Sequence, residues 1–172
     1  DLEGVRELRG IRSVGGGIEI GAMTTLTALE RSDTLRSRFS LLAEAAANVA
    51  SPQIRHAASI GGNVAQDTRC WYYRYGVACY RAGGNTCYAA APEAMNREHA
   101  VFGASRCVAV SPSDTAPALV ALDAEMVIRN ARGERTIAAA DFFMPPSIDI
   151  QRMTTHGRGR LLHPKSELAA MD

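Results

Sequence analysis

Apolar and polar positions alternate along this chain in short patterns, and each pattern predicts an element. Ile11 to Ile20 reads as a hairpin: a short strand, a turn at Gly15-Gly16-Gly17, then Ile18-Glu19-Ile20. Thr24 or Thr25 is placed to cap a short helix through Leu29, with Glu30 near its end. Leu41, Leu42, Ala45 and Val49 recur at spacings of three and four, which predicts one helix from Leu35 to Val49 in Ala-rich surroundings. Ser51-Pro52 stops it. Residues 58–66 read as a strand or strand–turn, and Cys107-Val108-Ala109-Val110 as a short buried strand. Pro112-Ser113-Asp114 opens a helix over Ala116–Leu122, with Ser113 or Asp114 as its N-cap. Glu125 to Arg129 alternates like a strand, Asn130-Ala131-Arg132-Gly133 is a turn, and Arg135-Thr136-Ile137 is the return strand. Helices mixed with hairpins of this kind predict an α+β fold with mixed or antiparallel sheet.

One stretch breaks the patterning. Residues 67–106 are aromatic, Gly-rich and cysteine-bearing, with no period. A segment that long without regular structure is usually functional or disordered, and a bound metal would supply order where a core cannot. All four cysteines, Cys70, Cys79, Cys87 and Cys107, fall in or beside it, spaced C-x8-C, C-x7-C and C-x19-C. At 172 residues and 47% hydrophobic the chain can bury a core, so it does not need disulfide staples. Thiolates are soft ligands suited to iron–sulfur clusters or zinc. A four-cysteine zinc site normally brings C-x2-C knuckles, which are absent here, and no ferredoxin spacing is met either. An iron–sulfur cluster therefore leads, with zinc and reduced or disulfide-bonded structural cysteines as alternatives. Gly83-Gly84 fits a chain wrapping tightly around a cluster, or a plain turn.

Charge and hydropathy narrow the classes further. A net charge of +1 points to neither nucleic acid nor an anionic membrane surface, and no apolar run is long enough to span a membrane. Cytoplasmic and periplasmic placement in a bacterium fit the sequence equally. The start at Asp1-Leu2-Glu3-Gly4, without Met, reads as the interior of a longer protein. After Pro145-Pro146 the texture becomes basic and weakly patterned.

The run Ala58-Ser59-Ile60-Gly61-Gly62-Asn63-Val64-Ala65-Gln66 ends four residues before Cys70. A glycine pair lets backbone N–H groups approach a phosphate, although a turn or bulge is the commoner use. Ser113-Asp114 at a helix start adds N–H donors and a carboxylate that can accept from a ribityl or ribose hydroxyl; plain capping explains it as well. Trp71, Tyr72, Tyr73 and Tyr75 read as a local apolar cluster shielding what the cysteines hold. His56 and His99 are possible ligands but more simply loop histidines. No nucleophile–His–acid set and no distinctive carboxylate pair is present, so no catalytic residue is assigned and substrate chemistry is placed on another chain.

At these residues the chain resembles the FAD-binding medium subunit of molybdenum hydroxylases, the group of xanthine dehydrogenases, carbon monoxide dehydrogenases and aldehyde oxidoreductases. The matching segments run from Ile18 to Leu26, from Ile54 to Asn63 and from Pro112 to Leu119. The stretch from Arg69 to Val110 resembles the insertion of a subgroup that carries an extra 4Fe–4S cluster. The resemblance implies a PCMH-type FAD-binding domain (its second subdomain) over residues 1–153, with a cysteine-rich insertion at 67–107 and an atypical tail at 154–172. It implies FAD contacts from Ser59, Ile60, Gly61, Gly62, Asn63, Ser113 and Asp114, with Thr24 and Gln66, and cluster ligation by Cys70, Cys79, Cys87 and Cys107. It implies partners too: a molybdenum-cofactor large subunit and a 2Fe–2S small subunit. Electrons would pass from these through the cluster and FAD to an acceptor. A 4-hydroxybenzoyl-CoA reductase-type beta subunit and a zinc-stabilised non-redox module are the alternatives. The family's upstream glycine-rich subdomain and its C-terminal domain lie outside this sequence, so the chain alone is expected to bind FAD weakly or not at all. A flavin titration giving micromolar or tighter binding would contradict that.

Overall fold

The computed structural model describes residues 4–130 and 133–155 and the backbone course of 161–163. Strands β1 (Ile11–Val14) and β2 (Gly17–Ile20) pair antiparallel, with Val14 opposite Gly17. Gly15 and Gly16 both take positive φ, 55° and 89°, the conformation a two-residue hairpin turn demands. β2 is the buried strand of the pair and drives Ile18 and Ile20 into the core.

Helices then follow in quick succession. α1 (Leu26–Arg31) starts where the Thr25 hydroxyl accepts from the Ala28 N–H at 3.2 Å, so Thr25 rather than Thr24 is the cap. The single helix predicted over Leu35–Val49 is instead two, α2 (Asp33–Arg38) and α3 (Ser40–Ala47), separated by Phe39. Phe39 leaves the helical region (φ −139°, ψ 47°) and is buried, as are Leu35, Leu42 and Ala46. The bend lets both helices face one core, and that burial outweighs the helical preference of the Ala-rich run. The stripe is also rotated: Leu42, Ala43, Ala46 and Val49 are buried whereas Leu41 is exposed. Ser51-Pro52 begins a helix rather than ending one. The Ser51 hydroxyl caps α4 (Pro52–Ala57), and proline sits in the first turn, where its missing N–H costs nothing.

Residues 58–66 are a second correction. They form a one-turn helix, α5 (Ile60–Val64), with the Ser59 hydroxyl accepting from the Gly62 N–H at 3.2 Å. Periodicity could not show this, because two glycines disfavour helix locally. The turn is held instead from outside. The Ile60 N–H donates to the Thr24 carbonyl at 2.9 Å and the Gly61 N–H to the Ala22 carbonyl at 2.8 Å. A Cβ on Gly61 would sit 2.8 Å from that carbonyl oxygen and 2.9 Å from the Ala22 Cβ, so glycine is needed for this close approach.

α6 (Trp71–Arg74) lies in the cysteine-bearing stretch, followed by single 3-10 turns at Tyr80–Ala82 and Tyr88–Ala90. Cys107–Val110 belongs to no strand. Its neighbour bond is the Ala100 N–H on the Val108 carbonyl at 2.9 Å, an isolated tie rather than a ladder. α7 (Ala116–Ala121) and the strands β3 (Glu125–Asn130) and β4 (Gly133–Ala138) stand close to expectation, and α8 (Ala139–Phe142) follows. β3 is the middle strand of an antiparallel sheet ordered β4-β3-β5, where β5 is Leu161–His163. Ala131 and Arg132 of the predicted turn, and most of the tail expected from residue 154, lie outside the described residues.

Residue contacts divide the chain into two units. One takes in the residues up to Ala65 together with Ser113–Phe142 and β5. The other joins Gln66–Pro112 to Phe143–Thr155. Within the second unit the 3-10 turn after Cys79 closes sharply: Gly83 has φ 86°, and the Gly84 N–H donates to the Cys79 carbonyl at 2.8 Å. A Cβ on Gly84 would fall on the Ala78 carbonyl. Gly84→Ala is therefore expected to open this turn and destabilise the second unit by about 2–4 kcal/mol, the range of a backbone clash that local shifts cannot absorb. Thermal unfolding monitored by circular dichroism checks it, and an unchanged midpoint would contradict it.

Candidate functional site

Each unit holds one set of the residues singled out by sequence. In the first, Asn63 projects from α5 and is buried. Its Oδ1 accepts from the Ser113 hydroxyl at 2.8 Å, the Thr115 hydroxyl at 2.7 Å and the Thr115 N–H at 3.3 Å. The Ser113 hydroxyl in turn accepts from the Ala116 N–H at 3.1 Å, which closes the turn leading into α7; the N-cap position is Thr115, not Ser113 or Asp114 as expected. The Gly-Gly-Asn turn and the Ser-Asp-Thr turn, fifty residues apart in sequence, are thereby fastened to one another through a single amide oxygen. Thr115 carries two of those bonds and was not singled out by sequence; its place two residues past Ser113 gave no signal of its own.

The remaining residues of this set divide by exposure. Gly62 and Asp114 face solvent, whereas Ile60, Gly61, Asn63 and Ser113 are buried and Ser59 is half-buried. Thr24 is buried with its hydroxyl committed to the chain, donating to the Gly10 carbonyl at 3.0 Å and accepting from the Gly10 N–H at 2.9 Å. Thr24 thus fixes the loop that receives Gly61. Gln66 belongs to the second unit, where its Oε1 accepts from Arg69 at 2.9 Å.

In the second unit all four cysteines line one cavity, together with Tyr72, Tyr73, Tyr80, Tyr88 and His99. None is in a disulfide; Cys70, Cys79 and Cys107 are buried and Cys87 half-buried. Burial pushes the Cys107 thiol up, its bond to Ala109 pulls the other way, and Cys87, Arg81 and Cys79 are all near enough to act on it. Thr68, fully buried, accepts the Cys70 N–H at 3.3 Å and sets that cysteine at the start of α6. Among the described residues no three His, Cys, Asp or Glu side chains meet closely enough to share a single ion.

Sequence reasoning missed Arg81. It is the one buried charged side chain among the described residues, at 5% exposure, and it lies on the wall of this cavity. Its guanidinium donates to the Ile150 carbonyl at 2.7 Å and to Asp67 Oδ1, and stacks over the Tyr73 ring at 5.1 Å. Its Nε is buried without a partner. A buried cation is expensive unless negative charge faces it, and Asp67 supplies that charge here. Its position inside the Cys79–Cys87 interval was the available clue. Both nitrogens of His99 are likewise buried and unpartnered, which at about 1–3 kcal/mol per polar group is a cost that a bound group would remove.

The aromatic cluster is only partly as expected. Tyr72 and Tyr73 do line the cavity, and Tyr72 stacks with Tyr88 at 6.0 Å. Trp71 and Tyr75 stack with each other at 5.7 Å but are 47% and 73% exposed and line a different cavity, with Arg69, Arg74 and Glu98. His56 is exposed on α4 and lines no described cavity.

Residues 1–155 match the family described as FAD binding domain in molybdopterin dehydrogenase. Aldehyde oxidoreductase FAD-binding subunit PaoB of Escherichia coli (strain K12) is 39% identical over 135 residues, 76% of this chain and 42% of that protein. The carbon monoxide dehydrogenase medium chain of Hydrogenophaga pseudoflava is 46% identical over 65 residues, 38% of this chain and 23% of that one. Among solved structures, that of the Hydrogenophaga pseudoflava carbon monoxide dehydrogenase lacking the Mo-pyranopterin moiety superposes with a TM-score of 0.60 and 25% identity, covering 95% of this chain and 42% of that one. Quinoline 2-oxidoreductase from Pseudomonas putida 86 shares the fold at a TM-score of 0.60 and 20% identity. The chain spans less than half the length of these relatives.

Proposed function

Because the chain belongs to the FAD-binding domain family of molybdopterin dehydrogenases, we propose that it is the flavin and iron–sulfur electron-transfer part of an aldehyde oxidoreductase-type molybdenum hydroxylase. The observation that carries this is the cavity where four thiols and the one buried cation among the described residues converge. A 4Fe–4S cluster bound by thiolates is an anion and stores single electrons. Cys70, Cys79, Cys87 and Cys107 would hold it, and Arg81 would offset its charge.

For the flavin, exposure supports a division of roles. The exposed Asp114 carboxylate would accept from a hydroxyl of the cofactor, and the exposed Gly62 would let it approach the turn. Ser59, Ile60 and Gly61 would shape that turn, since the Ile60 and Gly61 N–H groups are already engaged by the Thr24 and Ala22 carbonyls. Asn63, Ser113 and Thr24 act by holding those turns in place, through the bonds described above. The names "subunit" and "medium chain" borne by the relatives support companions for this chain. These would be a molybdenum-cofactor large subunit and a 2Fe–2S small subunit.

Metal and acid-labile sulfide analysis of the chain purified without oxygen tests the proposal. About four iron and four sulfide per chain are expected. One zinc without sulfide would replace the reading with a structural zinc module.

A further inference from the structure

His99 is the part of the thiol cavity that ligation by cysteine does not explain. The ring lies on the cavity wall with Nδ1 and Nε2 both buried and without partners. A neutral imidazole carries one N–H donor and one bare acceptor nitrogen, and buried groups of this kind are almost always paired. The main chain on either side of the ring is tied down. The His99 N–H donates to the Asn96 carbonyl at 3.1 Å, and the next N–H, that of Ala100, donates to the Val108 carbonyl at 2.9 Å, beside Cys107. On the same wall the Tyr72 hydroxyl accepts from the Met95 N–H, and Arg81 donates to Asp67 and Ile150. Sulfur is the acceptor that the four cysteines bring to the same space.

Resting on the cluster reading above, we propose that a ring N–H of His99 donates a hydrogen bond to a sulfur of the cluster, cysteinyl or bridging. The sulfurs carry more negative charge once the cluster is reduced, so such a bond strengthens on reduction and makes the cluster easier to reduce. His99 then sets the potential of the centre without ligating it. The residue's distance in sequence from every cysteine, eight positions before Cys107, is why no spacing rule reveals it.

The test compares the 172-residue wild-type chain with His99→Phe and His99→Gln, purified without oxygen. Iron and sulfide are measured first, then the reduction midpoint by spectroscopic redox titration. Equal iron in all three, a lower midpoint in His99→Phe and a return toward wild type in His99→Gln, which restores an N–H donor, are expected. Equal midpoints at equal iron would overturn the hydrogen bond and leave the cluster standing. Absence of iron and sulfide from the wild type would overturn the cluster reading and this inference with it. If His99→Phe fails to hold iron, the reduced wild-type cluster decides: hyperfine coupling to isotopically labelled histidine nitrogen and to an exchangeable proton supports the bond, and its absence overturns it.

Discussion

Replacing Cys87 by serine is expected to abolish most of the visible absorbance of the proposed cluster. Cys87 is the least buried of the four thiols, so exchanging sulfur for oxygen there perturbs packing least. Any spectral loss then reports ligation rather than unfolding. Serine is a hard, poorly acidic donor and replaces a soft thiolate badly. The loss should come with a fall in iron content and an unchanged far-ultraviolet circular dichroism spectrum. Cys107→Ser is expected to lose the centre as well, with some added destabilisation because that thiol is buried. A visible spectrum that survives Cys87→Ser unchanged would remove Cys87 from the ligand set.

The other large effect is expected at Asn63. Asn63→Ala takes away the oxygen that accepts from the Ser113 hydroxyl, the Thr115 hydroxyl and the Thr115 N–H. All of these residues are buried, so water cannot readily replace the lost acceptor. With each stranded donor costing about 1–3 kcal/mol and the two hydroxyls able to turn toward each other, a net loss of roughly 2–4 kcal/mol is expected. For a chain of this size that lowers the unfolding midpoint by on the order of 10 °C. In the assembled protein the Asp114 turn would lose its anchor, so flavin occupancy should fall as well. Thermal denaturation and bound-flavin absorbance check the two effects; a midpoint within a degree of wild type would show that Asn63 is not the fastener.

Both predictions join features the sequence shows to features it hides. Ser59-Ile60-Gly61-Gly62-Asn63, Ser113-Asp114 and the four cysteines are legible because their chemistry is unusual for their context. The hairpin at Gly15-Gly16 and the β3–β4 pair are legible too, because a two-residue period and turn glycines are local signals. The bend at Phe39 is not, because it depends on which residues a shared core accepts. The helix at Ile60–Val64 is not either, because its first turn is held by carbonyls of Ala22 and Thr24 from far along the chain.

The same division runs through the candidate site. Composition and spacing determined that four thiols exist, that they cluster in one segment and that the fold mixes helices with antiparallel strands. Tertiary structure alone decided that these thiols share one cavity, that Arg81 and His99 stand on its wall, and that Asn63 ties two distant turns together. The reason is physical. Periodicity and turn chemistry act over a few residues, whereas burial of a charge or an orphaned ring nitrogen is set by everything that packs around it, wherever that lies in the chain.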